Sequence, residues 1–126
     1  MKPIRVQRKR TRGFKLPENI VCVTRPGRYD NPFIISGDMI FLNVKFRRPL
    51  LYLGRYWQQG TQADCVYLFR KLLNGDFNQS EDTDLQHWVM HFKGIRKDEL
   101  KGKNLACWCK IGYPCHGDVL LEIVNA

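Results

Sequence analysis

The sequence predicts a small, single-domain α/β protein, and three observations carry that prediction. A β-branched run at residues 19–24 and an apolar run at residues 103–108 read as strands far apart in the chain. Between and after them, apolar residues recur at three- and four-residue spacing, the signature of helices with one buried face. The two runs then become the first and last strands of a short central sheet, parallel and adjacent, with a β-hairpin and three to four helices around it. A chain of 126 residues, 44% hydrophobic and 26% charged, is long enough for one such core.

The chain opens with residues 1–18, which lack periodicity, contain Pro3, Gly13 and Pro17, and read as an extended basic N-terminal arm. Residues 19–126 form the domain. Up to Arg28 the chain carries nine Lys or Arg (Lys2, Arg5, Arg8, Lys9, Arg10, Arg12, Lys15, Arg25, Arg28) against Glu18. Nearly all of the formal net charge of +9 therefore sits at one end. Such asymmetry suits an arm that meets phosphates, and it equally suits a solvated tail.

After the first strand, the segment from Arg25-Pro26-Gly27 to Asn31-Pro32 excludes helix and predicts a shaped loop. Residues 33–35 and 39–42 flank Ser36-Gly37-Asp38 and predict a hairpin. Residues 43–60 carry no clear period. A helix opens at Thr61, with Asp64 three residues later, and buries Cys65, Leu68, Phe69, Leu72 and Leu73 before Gly75 ends it. Leu85, Trp88, Val89 and Phe92 mark a second helix, capped near Ser80 or Thr83 and stopped by Gly94. Residues 96–100 allow one more helical turn. The last strand leads into a closing helix at residues 115–124.

No apolar run approaches the roughly 18 residues needed to span a bilayer. The first residues are basic without an apolar stretch behind them, so they do not read as a secretory signal. Five cysteines are an odd number and they cluster, which argues for a reducing cytoplasm rather than a disulfide framework.

The chemistry gathers in Cys107-Trp108-Cys109-Lys110-Ile111-Gly112-Tyr113-Pro114-Cys115-His116-Gly117-Asp118. Alternation along a strand projects Cys107 and Cys109 from one face. Cys115 stands at the start of a helix, where the macrodipole and unpaired amides favour a thiolate. His116 is adjacent, and Asp118 falls in the first helical turn. Three readings compete. Cys115 is a nucleophile or redox thiol, with His116 and Asp118 as its acid, base or orienting groups. Alternatively Cys107, Cys109, Cys115 and His116 hold zinc or an iron–sulfur cluster, at an unusual spacing. In the third reading the cysteines are small buried hydrophobes. A phosphatase-type loop is not supported, because the arginine position counted from Cys109 holds Cys115. Cys22 and Cys65 read as core.

Together, Arg25-Pro26 with Asn31-Pro32-Phe33, then Gly102-Lys103-Asn104-Leu105-Ala106-Cys107-Trp108-Cys109, then Cys115-His116-Gly117-Asp118-Val119-Leu120 resemble domain-of-unknown-function family 4326 of bacteriophages and bacteria. The entry at residues 8–17 resembles it too, and only residues 43–60 fall outside the likeness. Thr24 and Tyr29-Asp30 stand where that family commonly has Gly and Trp-Gly. A weaker similarity of the Cys-His helix start points to family 488. The resemblance implies a common site and no reaction. It also implies a pairing of two loops: one with Arg25, Arg28 and Asn31 after the first strand, the other from Cys109 to His116 after the last. Parallel neighbouring strands would deliver both loops to the same edge, where open α/β sheets bind ligands.

The expectation is recognition or processing of a nucleotide, nucleoside or nucleic-acid end. Arg25, Arg28 and Asn31 would bind the ligand, Cys115, His116 and Asp118 would do the chemistry, and the basic arm would follow the polynucleotide. For Asn31 plain turn chemistry is the competing reading. No cofactor and no membrane contact is favoured, and the compartment is the cytoplasm, a host's if the chain is phage-encoded. The alternative is a metal-stabilised nucleic-acid-binding or host-interaction protein without catalysis. Zinc or iron–sulfur would hold its loop, and Tyr52, Tyr56 and Trp57 among Arg47, Arg48 and Arg55 would supply stacking.

Overall fold

A computed structural model describes residues 2–9, 12–13, 19–25, 27–44, 48–52, 55–56 and 60–126. In chain order its elements are strands β1 (Arg5–Gln7), β2 (Ile20–Cys22), β3 (Phe33–Ser36), β4 (Met39–Leu42), β5 (Arg48–Pro49), β6 (Leu51–Tyr52) and β7 (Arg55–Tyr56), helices α1 (Gln62–Asn74) and α2 (Thr83–Lys93), a 3-10 turn (Lys97–Glu99), strand β8 (Asn104–Cys107) and helix α3 (His116–Val124). The fold is α/β, as expected. The chain forms two compact units, one from residues 1–30 with 96–126, the other from residues 31–95.

In the first unit the sheet order is β1-β8-β2, with both outer strands parallel to β8. Parallel strands covered on both faces read as continuous apolar runs, and Leu105, Ala106 and Cys107 are all buried. Burying a leucine such as Leu105 is worth about 2 kcal/mol. The expected parallel pairing of the strands near 20 and 105 is present: Val21 lies opposite Leu105 and Cys22 opposite Ala106. Helix α3 covers this sheet through Val119, Leu120 and Val124.

One strand was not expected. Residues 5–7, read as part of an extended basic arm, pair with β8 from Arg5 opposite Leu105 to Gln7 opposite Cys107. The backbone is extended, but its amides and carbonyls are used: Leu105 donates to the Ile4 carbonyl at 3.1 Å and Arg8 to the Cys107 carbonyl at 2.8 Å. Three residues among lysines and arginines give no period, and their partner lies a hundred positions away. Cys22 also departs from expectation. It is exposed, because β2 is an edge strand, whereas Cys65 is 1% exposed as a core cysteine.

In the second unit β3, β4 and β5 form an antiparallel sheet with Ser36 opposite Met39 across the predicted turn, and β6 pairs with β7. Helix α1 has the expected capping box: the Thr61 hydroxyl accepts from the Asp64 amide and the Asp64 carboxylate accepts from the Thr61 amide. Cys65, Leu68, Phe69 and Leu72 are buried, while Leu73 is half-buried. The N-cap of α2 is Asp82, not Ser80 or Thr83. Its carboxylate accepts from the Asp84 and Leu85 amides and pairs with Arg48, which also bonds Asp84 at 2.7 Å. Among the described residues no helix is long and apolar enough to cross a membrane.

Candidate functional site

Strand β8 ends on Cys107, and the strand alternation carries on far enough to set Cys109 beside it, Sγ to Sγ 3.7 Å. The chain then turns through Gly112 at φ 90°, a backbone that disfavours a side chain, with the Tyr113 amide donating to the Lys110 carbonyl at 3.0 Å. That turn returns Cys115 to the pair. Cys115 is the N-cap of α3 rather than its first residue, at φ −148° and ψ 135°, and its sulfur accepts from the Gly117 amide at 3.4 Å. The three Sγ atoms lie within 4.8 Å of one another. All three cysteines are free.

The cluster titrates as a unit. Hydrogen bonding with Cys109 and then with Cys115 holds the Cys107 thiol well below the usual range, outweighing the burial that pushes it up. The same bonds hold the other two protons on: Cys115 is raised first by its bond to Cys107, and Cys109 likewise. Cys115, the expected nucleophile, is 1% exposed, whereas Cys109 is the most accessible of the three.

Of the four residues expected as metal ligands, the donor atoms of Cys107, Cys109 and Cys115 converge, and His116 is not among them. Adjacent positions at a helix start point in different directions. The buried imidazole Nε2 instead contacts the carbonyls of Val23 at 2.9 Å and Tyr29 at 3.1 Å. Two carbonyl partners mean that Nε2 carries the proton and donates. Burial lowers the His116 pKa and keeps the ring neutral. His116 therefore ties the loop after β2 to the start of α3, which joins the two loops expected to converge.

Arg5 is a site residue that the sequence reading missed. Its side chain is 3% exposed; Nη1 donates to the Cys109 carbonyl at 2.7 Å and Nη2 to the Lys110 carbonyl at 2.9 Å. Nε lies 3.4 Å from Asp118 Oδ1 but makes no hydrogen bond, and the Asp118 side chain is 56% exposed. Asp118 is thus a contact of Arg5. The available signal was a lone arginine between Ile4 and Val6, a charge inside a short β-forming run.

The expected ligand-binding residues divide. Arg25 is exposed on the loop after β2. Arg28 pairs with Glu99 at 3.0 Å, and the Tyr29 hydroxyl donates to the same carboxylate at 2.7 Å. Asn31 belongs to the other unit and is 3% exposed: its Nδ2 donates to the Cys65 carbonyl and its Oδ1 accepts from the Phe33 amide. Both ends of that amide make bonds within the fold, as the turn-chemistry reading expects. Pro26, Arg47 and Trp57 lie outside the described residues, and Arg48 is committed to Asp82 and Asp84.

The loop that closes the thiol cluster presents apolar and aromatic side chains to solvent: Trp108 is 37% exposed, Ile111 57% and Tyr113 61%. The Arg8 guanidinium lies 4.3 Å from the Trp108 ring centroid, and the Lys110 ammonium 5.4 Å from that of Tyr113. Arg8 also donates to the Thr24 hydroxyl at 2.9 Å, which fixes it over the indole.

Fold and site together define a small α/β protein whose central parallel strand ends in a three-thiol loop. Residues 6–126 match the family described as Domain of unknown function (DUF4326), and the chain belongs to that family. The weaker likeness to family 488 is not shown. No curated protein and no solved structure matches the chain.

Proposed function

We propose that the protein binds single-stranded nucleic acid, or a nucleic-acid end, on the loop at residues 108–114 together with Arg8. One observation carries the reading. Two exposed aromatic rings, Trp108 and Tyr113, each sit beside a cation on a loop whose ends are anchored by the thiol cluster and by Arg5. Aromatic faces stack bases and the neighbouring cations meet phosphates, a combination that tolerates any base sequence. The basic residues at 2, 9, 12 and 25 are exposed in the same unit and add a long-range attraction. Arg5 leaves that set, since its charge is buried. Binding without catalysis fits the site better than processing does, because the Cys115 sulfur is enclosed and His116 Nε2 is committed to main-chain carbonyls.

Fluorescence anisotropy with a labelled single-stranded oligonucleotide tests it. Trp108→Ala and Tyr113→Ala should each weaken binding by about 5- to 150-fold, the range of 1–3 kcal/mol per stacked base. Tyr67→Ala is the control: that ring is 51% exposed with Lys71 at 5.0 Å, but it lies in the other unit. Binding should also weaken steeply with salt. Equal affinity in the three variants, or no binding by the wild type, removes the loop from the proposal.

A further inference from the structure

We propose that Cys107, Cys109 and Cys115 bind a single zinc ion as three thiolates, with a fourth coordination position open to water or a small ligand and with Arg5 neutralising the complex. The proposal stands apart from nucleic-acid binding and holds whether or not a polynucleotide occupies the loop.

Zinc–thiolate bonds are about 2.3 Å, so two sulfurs of a tetrahedral site lie about 3.8 Å apart. Cys107 and Cys109 are at 3.7 Å, and no pair in the trio exceeds 4.8 Å. A disulfide needs about 2.05 Å. The sulfurs are therefore spaced to surround an ion rather than to bond each other.

Donor chemistry narrows the ion. Soft thiolates select zinc, copper(I) or iron–sulfur clusters over calcium and magnesium. Cubane and rhombic iron–sulfur clusters take four cysteines, and among the described residues only three converge here. Zinc accepts three protein ligands and keeps the fourth position for an exchangeable group. Neither ring nitrogen of His116 is among the donor atoms that converge with the three sulfurs. The half-buried Cys109 and the exposed residues 110–114 leave solvent a way in.

Zinc with three thiolates carries one net negative charge, and the unit buries one guanidinium nearby, on the carbonyl of Cys109 itself. A buried cation needs a compensating anion. Asp118 is more than half exposed and makes no hydrogen bond to Arg5, so it compensates weakly. The Gly117 amide, donating to Cys115 Sγ, is the kind of outer bond that orients a thiolate ligand.

The test is metal analysis of the full chain purified without added metal, followed by cobalt(II) substitution. Expected results are stoichiometric zinc, intense visible bands of tetrahedral cobalt with sulfur-to-cobalt charge transfer, and a shift of those bands on adding azide or a free thiol. Cys109→Ser should lose the metal, while His116→Gln and Cys22→Ser should retain it. Alkylation of the zinc form should modify the exposed Cys22 and spare the trio, which chelation then releases. These wild-type readouts decide the matter even if Cys109→Ser does not fold. Protein that binds neither zinc nor cobalt stoichiometrically, iron with acid-labile sulfide, or loss of metal in His116→Gln overturns the proposal. A cobalt spectrum indifferent to added ligands overturns the open fourth position.

Discussion

The Arg5 guanidinium donates to the main-chain carbonyl of Cys109 at 2.7 Å, joining the first strand to the thiol loop 104 positions further on. The same group reaches the Lys110 carbonyl. A residue from the basic N-terminal region thus becomes the internal strut of the site. Replacing it leaves two carbonyls of the loop without their donors, and charged hydrogen bonds are worth about 1.5–3 kcal/mol each. Arg5→Met should lower stability by about 2–4 kcal/mol, with Arg5→Lys intermediate because an ammonium cannot span both carbonyls. Chemical denaturation measures this; a loss below about 1 kcal/mol would show that the strut is dispensable.

Gly117 is the second half of that arrangement. A Cβ placed there would meet Arg5 Cδ at 3.1 Å and Val23 Cγ2 at 3.4 Å. Alanine in a helix is ordinarily better than glycine by about 1 kcal/mol. Here Arg5 is pinned and cannot withdraw, and overpacking costs about 1–3 kcal/mol. Gly117→Ala should therefore destabilise, by about 1 kcal/mol net. A higher melting temperature for this variant would show that Arg5 yields.

Asn31 separates structure from ligand binding. Its buried amide bridges Cys65 and Phe33, so Asn31→Ala strands a carbonyl and an amide and should cost about 1–3 kcal/mol. Oligonucleotide affinity of the folded variant should be unchanged. A variant of full stability with weakened binding would return Asn31 to the site.

Asp82 gives the pH dependence. Burial raises its pKa, but the Arg48 hydrogen bond and the Leu85 and Asp84 amides lower it more, to a value below the ordinary 3.8. The folded chain then holds this proton more weakly than the unfolded chain. The stabilisation is fully present above 3.8 and drains away as pH falls through the lower folded value. Asp82→Asn keeps a helix cap but no charge, so its stability should fall less between pH about 4 and 2 than the wild type's. Circular dichroism across that range checks it. Parallel acid profiles would remove the pair from acid sensitivity.

Much of this molecule was legible in the chain because the signals are local. Thr61 and Asp64 stand three apart and cap α1 reciprocally, Gly75 closes it, and Gly37-Asp38 turn the hairpin. The runs at 20–22 and 104–107 are apolar enough to be recognised as strands, and Cys107, Cys109 and Cys115 lie within nine residues of one another. The N-cap of α2 was misplaced by one or two residues, because Ser80, Asp82 and Thr83 are all capping types and only the Arg48 partnership selects Asp82.

What the sequence by itself determined is therefore the α/β class, the neighbouring parallel strands and the location of the thiol loop. Each depends on residue type and on spacing that any reader of the chain can measure. The tertiary structure alone decided that Arg5 is an internal strut rather than a phosphate-binding arm residue, and that His116 faces Val23 and Tyr29 rather than the sulfurs. It also decided that Arg8 lies over Trp108. Those pairings join positions 87 to 104 apart, or rest on the direction in which a side chain leaves a helix start. Neither quantity has a local signature, because it is set by which strands find each other and not by the residues next in line.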